Sequence, residues 1–331
     1  MAYSSAEGIL AKKLEVGTFE KQEYIDTLLE TASPSLTSWL GKTKLADNYD
    51  LYVSRQIEWL QDEEFANSFC QSCSVLNKEP SAFLNRLVVL GEEEQCIAGI
   101  RFLGMDLDKP FVDILPNFAI DEQSTLRLVK KEINTLFSDF KPLAMRLLIN
   151  NDDALAMWQK HGATVDLYYV AGSIQLLRQG LMASHAKVSI VPARSLDFYD
   201  EYLSIFKRFH LKNGDLAIHV TPESRQDLLA CKEEGGLFLI KVEDKWAGVL
   251  AARRSRESGL SGFLVREEIL REEYRGKKLA PVAMGQLIHK LPAAADDLLF
   301  GTIHPMNTPS LKTAKSVGRE IVSAYVFVGL T

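Results

Sequence analysis

Two short stretches of this chain hold residue types that do chemistry at a useful spacing. Arg275-Gly276-Lys277-Lys278 places three cations and a glycine ahead of a helical apolar pattern that opens at Leu279 and Ala280. A turn feeding a helix N-terminus presents several unpaired N–H groups, the helix dipole reinforces them, and glycine permits close backbone approach. Such a turn is a receptor for a pyrophosphate. The plainer alternative is a solvated basic turn, since Glu272 and Glu273 stand beside it. Further on, His304 precedes Asn307 by three positions. An imidazole titrates near neutrality and suits a general base, while a His beside Pro305 is equally a turn residue. Asn307, before Thr308-Pro309, is a good helix cap. Cys70-x-x-Cys73 has no second pair; cysteines at i, i+3 on an apolar helix face read as core packing, and no metal is expected.

These groups need elements to hold them. A strand is expected over 187–191, then a helix over 196–209 with Phe198, Tyr202, Ile205, Phe206 and Phe209 on one face. A second helix is expected over 221–230, with Thr221 as cap and Pro222 in the first turn. A hairpin over 237–252 follows, then a strand over 262–270 that carries Glu267 and Glu268. Leu279, Val282, Ala283, Leu287 and Ile288 mark one helix face; a buried strand over 298–303, a short helix after Asn307 and a last strand over 321–328 complete the half. Residues 1–50 read as an additional segment with one helix over about 20–31.

The pattern occurs twice. Asn151, Ala154, Gly162 and Tyr169 correspond to Asn307, Ser310, Gly318 and Tyr325 at a constant offset of 156. Apolar hairpins over 86–104 and 236–254, each with Ala-Gly in its second strand, correspond at an offset of 149. Two domains are therefore expected, 1–182 and 187–331, joined near 183–187. With 331 residues, 47 % hydrophobic and 25 % charged, the chain can fill two cores. Its net charge of −6 gives no long-range pull toward nucleic acid or an anionic membrane, and neither is an expected partner. Four cysteines form no disulfide scaffold, and no secretory leader or spanning apolar run is visible, so a cytoplasmic protein is expected.

The stretch Arg275 to Ala280, together with Asn307-Thr308-Pro309-Ser310, resembles the coenzyme A-binding motifs of the GNAT superfamily of N-acetyltransferases. The resemblance covers 187–331 and, more weakly, about 55–178, as in the tandem arrangement of mycothiol synthase. It implies an α/β fold: two domains, each a mixed, mostly antiparallel sheet flanked by helices, with the fourth and fifth strands splayed apart. It implies acetyl-coenzyme A as acyl donor, held by Arg275, Gly276, Lys277, Lys278, Leu279, Ala280 and Asn307, with the pantetheine arm along the backbone of Glu268, Ile269 and Leu270. It also implies an amine acceptor in a groove between the halves, a base at Glu268 or His304, and a backbone oxyanion donor at Leu270. Glu267, on the opposite strand face, is then expected in solvent or in an ion pair.

Two departures bear on activity. The family's central glycine is Lys278, for which a left-handed backbone costs about 1–2 kcal/mol; the favoured reading puts it in the first helical turn, where it only adds a cation. The family's tyrosine acid is Ala314, with Tyr274 and Tyr325 as substitutes that are more simply packing. The same turn in the first half reads AIDEQS over 119–124, without glycine or cation, and Asp121 and Glu122 repel phosphate. Chemistry is thus expected in the second half. The rival expectation is a non-catalytic scaffold or sensor that binds coenzyme A. Acceptor identity and oligomeric state stay open.

Overall fold

A computed structural model describes residues 20–91, 93–120, 123–180 and 187–330. Asp121, Glu122 and the joint over 183–186 lie outside the described residues. The chain forms two compact units, one taking residues up to Thr37, Gly41–Thr164 and the stretch from Tyr325, the other Ser38–Leu40 and Val165–Ala324. These units differ from the linear ranges 1–182 and 187–331.

In the first unit, α1 (Lys21–Glu30), α2 (Pro34–Glu58) and α3 (Glu63–Ser72) precede a sheet of β1 (Arg86–Val89), β2 (Gln95–Phe102), β3 (Pro110–Pro116) and β4 (Ala144–Ile149). Where one helix was expected before residue 50, the described residues form two, because Pro34 starts a new helix at its first position and Gly41, at φ 73, bends rather than ends it. Helices α4 (Gln123–Leu136) and α5 (Asp152–Lys160) complete this unit.

The second unit holds β5 (Thr164–Ser173), α6 (Ile174–Gly180), β6 (Val188–Pro192), α7 (Tyr199–Lys212), α8 (Arg225–Glu233), β7 (Leu237–Val242), β8 (Lys245–Glu257), β9 (Leu260–Leu270), α9 (Leu279–Lys290), β10 (Leu298–Ile303) and α10 (Thr308–Ser316). Strand β11 (Glu320–Gly329) starts in this unit and ends in the other. The strand order is β5-β10-β9-β8-β7-β6, antiparallel except for β10 on β9. The repeat is legible in the bounds: α5 with α10, and β5 with β11, begin and end 156 positions apart.

Helix α8 starts at Arg225, later than expected. Ser224 Oγ, not Thr221, accepts from the Asp227 N–H at 3.0 Å, which leaves Pro222 in the preceding loop. Glu243 and Asp244, both with positive φ, make the tight β7–β8 turn. Helices α7 and α8 cover one sheet face through Tyr202, Ile205, Phe206 and Leu228 against Val249, Ala251 and Ile269. Helix α9 covers the other through Ala283, Met284, Leu287 and Ile288 against Phe263, Leu270 and Leu299. Beginning β10 on β9 demands close backbone approach. A Cβ on Gly262, at φ 139, would meet Leu298 O at 2.2 Å.

Candidate functional site

The site arises where β9 and β10 part. Their parallel pairing covers Leu298↔Gly262, Leu299↔Phe263 and Phe300↔Leu264, and goes no further. Strand β9 continues to Leu270 along β8, with a bulge that opposes Ala252 to Val265 and Ala251 to Glu267, leaving Arg266 unopposed. The gap is a cavity of about 310 Å³, lined by residues of the second unit alone. From α7 and the loop after it come Phe206, His219 and Glu223; from β9, Arg266, Glu267 and Glu268; from β10 and beyond, His304, Asn307, Ser310 and Arg319.

Glu267 is 6 % exposed and forms no ion pair among the described residues, which corrects the expectation for it. The Tyr202 hydroxyl donates to its Oε2, and the Glu268 N–H donates to its Oε1 at 2.9 Å. Tyr202 in turn accepts from the Glu223 N–H at 2.7 Å, and the Glu223 carboxylate pairs with Arg266 at 2.5 Å. Burial pushes the Glu267 carboxyl up to about 8; the Tyr202 hydrogen bond works against that and the Glu223 charge adds to it.

Glu268 stands differently. Its Oε1 is covered and accepts no hydrogen bond, and burial pushes its carboxyl up to about 7 against the opposing pull of Arg319. Arg319 is 3 % exposed, and its Nε has no hydrogen-bond partner. Burial lowers its pKa and the Glu268 charge raises it. His304 stacks on His219 with ring centroids 3.6 Å apart and accepts at Nδ1 from the Met306 N–H at 3.3 Å. Burial and then His219 lower the His304 pKa, so the ring is neutral at physiological pH. Asn307 caps α10, accepting from the Ser310 N–H at 3.4 Å.

The basic turn hangs from the end of β9, two residues beyond Glu268. Gly276 has φ 71, with open space where a Cβ would be. Lys278 is the residue before α9 and has φ 57. It precedes the first helical turn rather than lying in it, and its left-handed conformation costs about 1–2 kcal/mol of strain. Gly276, Lys277 and Lys278 are exposed. Among the described residues, the N–H groups of 276–280 find no acceptor in the protein, and neither lysine has an ion-pair partner. Arg275 folds inward instead: its Nε donates to the Leu270 carbonyl at 2.8 Å and its guanidinium lies over the Phe209 ring. The Leu270 carbonyl is thus already engaged. Ile269 packs into the α7–α8 core and Leu279 into the α9 core, while Ala280 is partly buried.

Other candidates fall away from the cavity. Ala314 is fully buried against Val170 and Ile303. Tyr325 lies in the first unit beneath the Arg146 guanidinium, and Tyr274 packs against the α9 core. Cys70 Sγ points to the Lys78 carbonyl, and no group of three or more metal-ligating side chains occurs among the described residues. Among them, no helix is long and apolar enough to cross a membrane.

No family profile matches the chain, and no curated protein matches it. Among solved structures, it is similar to a GCN5-related N-acetyltransferase from Kribbella flavida at 14 % identity and TM-score 0.41, over 81 % of this chain and 95 % of that one. It is similar to a GCN5-related N-acetyltransferase from Sphaerobacter thermophilus at 13 % identity and TM-score 0.43, over 81 % and 93 %. A tandem GNAT protein from the clavulanic acid biosynthesis pathway matches at 13 % identity and TM-score 0.40, over 82 % and 97 %.

Proposed function

We propose that the second unit is an acyltransferase that moves an acetyl group from acetyl-coenzyme A to an amine. One observation carries this reading: an exposed turn with unpaired N–H groups at 276–280 stands beyond the end of the strand whose parting from β10 opens a cavity lined by the buried Glu268 carboxyl, which burial pushes up to about 7. The turn and α9 receive the diphosphate, with Lys277 and Lys278 adding charge. The gap between β9 and β10 admits the thioester end.

Transfer requires a neutral amine. Glu268, ionised above about pH 7, takes one proton from the acceptor ammonium. The nitrogen then attacks the thioester carbonyl: the C–N bond forms, the C–S bond breaks, and the second nitrogen proton goes to the departing sulfur. A separate acid at the position of Ala314 is not needed for that balance. Backbone N–H on β9 polarises the carbonyl, and neutral His304 orients the acceptor.

A second reading, a sensor that binds coenzyme A without turnover, draws on Arg275, whose engagement of the Leu270 carbonyl occupies backbone that the pantetheine arm would pair with. Thiol release from acetyl-coenzyme A across a panel of amines separates the two. Amine-dependent release supports the transferase. Tight binding with no release from any amine favours the sensor.

A further inference from the structure

Arg319 brings a full charge into the cavity and leaves it unused. It is 3 % exposed, lies on the connection into β11, and makes no side-chain hydrogen bond and no ion pair among the described residues. The other lining charges have partners. Glu223 holds Arg266 at 2.5 Å, Glu257 accepts from Ser255, and Glu267 accepts from Tyr202 and the Glu268 N–H. Glu268 alone resembles Arg319, with a covered Oε1 that accepts nothing. The two attract each other electrostatically, yet no hydrogen bond or ion pair joins them.

A buried guanidinium and a buried carboxylate that face one cavity without touching are each costly alone. A ligand carrying both complementary charges satisfies both at once. The planar guanidinium fork matches a carboxylate bidentately, and the Glu268 carboxylate matches an ammonium. The cavity, about 310 Å³, is at the small end of ligand sites. We propose that the acceptor is a small amino acid, its carboxylate bound by Arg319 and its ammonium presented to Glu268. This deepens the acyltransferase reading and rests on it for the transfer step, while the binding it asserts stands separately.

The test is binding first. Each of the twenty common α-amino acids and its carboxamide is titrated into the full chain by calorimetry, with acetyl-coenzyme A titrated in parallel. At least one amino acid should bind ten-fold or more tighter than its carboxamide. Arg319→Gln should erase that difference, and Arg319→Lys, which keeps the charge but not the fork, should retain part of it. Circular dichroism verifies that both variants fold. In thiol-release kinetics, Arg319→Gln should raise KM for the amino acid at least ten-fold and leave KM for acetyl-coenzyme A unchanged. The proposal is overturned if no amino acid binds the wild type, if carboxamides bind equally, or if Arg319→Gln weakens acetyl-coenzyme A instead. Failure of acetyl-coenzyme A to bind, with amino-acid binding intact, would sink the transferase reading alone.

Discussion

The two units contain the same parting of parallel strands and use it differently. In the first, β3 and β4 pair at Phe111↔Ala144, Val112↔Met145 and Asp113↔Arg146 and then stop. The last pair is locked: Arg146 donates to both oxygens of Asp113 at 2.6 and 2.9 Å and stacks between the Phe111 and Tyr325 rings. Arg101, 3.9 Å from Asp113, lies against Trp59, Phe65 and Phe69. Beyond its last pair β3 continues with Ile114, Leu115 and Pro116, whereas β9, past Phe300↔Leu264, continues with Val265, Arg266, Glu267 and Glu268. One parting thus has its charges matched to each other and sealed by rings, which holds the chain together. The other leaves a carboxylate and a guanidinium apart and open to a cavity, which leaves their attraction available to a ligand.

The comparison sharpens at Glu268. Glu268→Gln should lower kcat for acetyl transfer about 10²–10⁴-fold, the range for loss of a general base. Wild-type rate should climb with pH and level off above about 7, where the carboxyl has lost its proton, and the variant should lose that rise. A variant with the wild-type pH profile would remove Glu268 as the base. Next in size, Lys277→Glu with Lys278→Glu should weaken acetyl-coenzyme A about 100-fold while leaving circular dichroism unchanged, since both side chains are exposed and each charge-assisted contact contributes about 1.5–3 kcal/mol. Unchanged affinity in calorimetry would break the assignment of the turn.

Stability reports the same contrast. Glu267 and Glu268 are pushed up to about 8 and about 7, so the folded chain holds their protons to higher pH than the unfolded chain does. Their contribution is complete below the ordinary carboxylate range and is lost as pH rises through 7 and 8. Glu267→Gln should therefore gain on the wild type between pH 6 and pH 9 by about 2–3 kcal/mol in urea unfolding. A constant difference across that interval would show that the carboxyl is not held protonated. The smallest effect belongs to the first half: reversing Asp121 and Glu122 to lysine should leave acetyl-coenzyme A affinity within two-fold, and a large gain or loss would mean that half holds the donor.

Local features of the fold were readable from the chain. Strand β10 occupies the expected 298–303 because a short apolar run is bounded on both sides by turn residues. Asn307 caps α10 because its side chain needs only the next turn of backbone. The shape of the site was less readable, since it depends on partners far along the chain. The hydroxyl that holds Glu267 comes from Tyr202, 65 positions away, and Tyr202 looked like one more ring on an apolar face. Arg319 belongs to no motif. Its only signal is a cation placed between Gly318 and an apolar strand, where a solvated side chain reads equally well. Lys278 shows the converse: the residue type argued against a left-handed backbone, and the turn imposed one.

The central claim is that the backbone at 276–280 cradles a diphosphate and aims a thioester into the cavity beside Glu268. A crystal structure of the chain with acetyl-coenzyme A tests it most directly. The account predicts diphosphate oxygens on the N–H groups between Gly276 and Ala280, with the acetyl carbon between β9 and β10. A diphosphate bound at 119–124, or anywhere away from that turn, would contradict it.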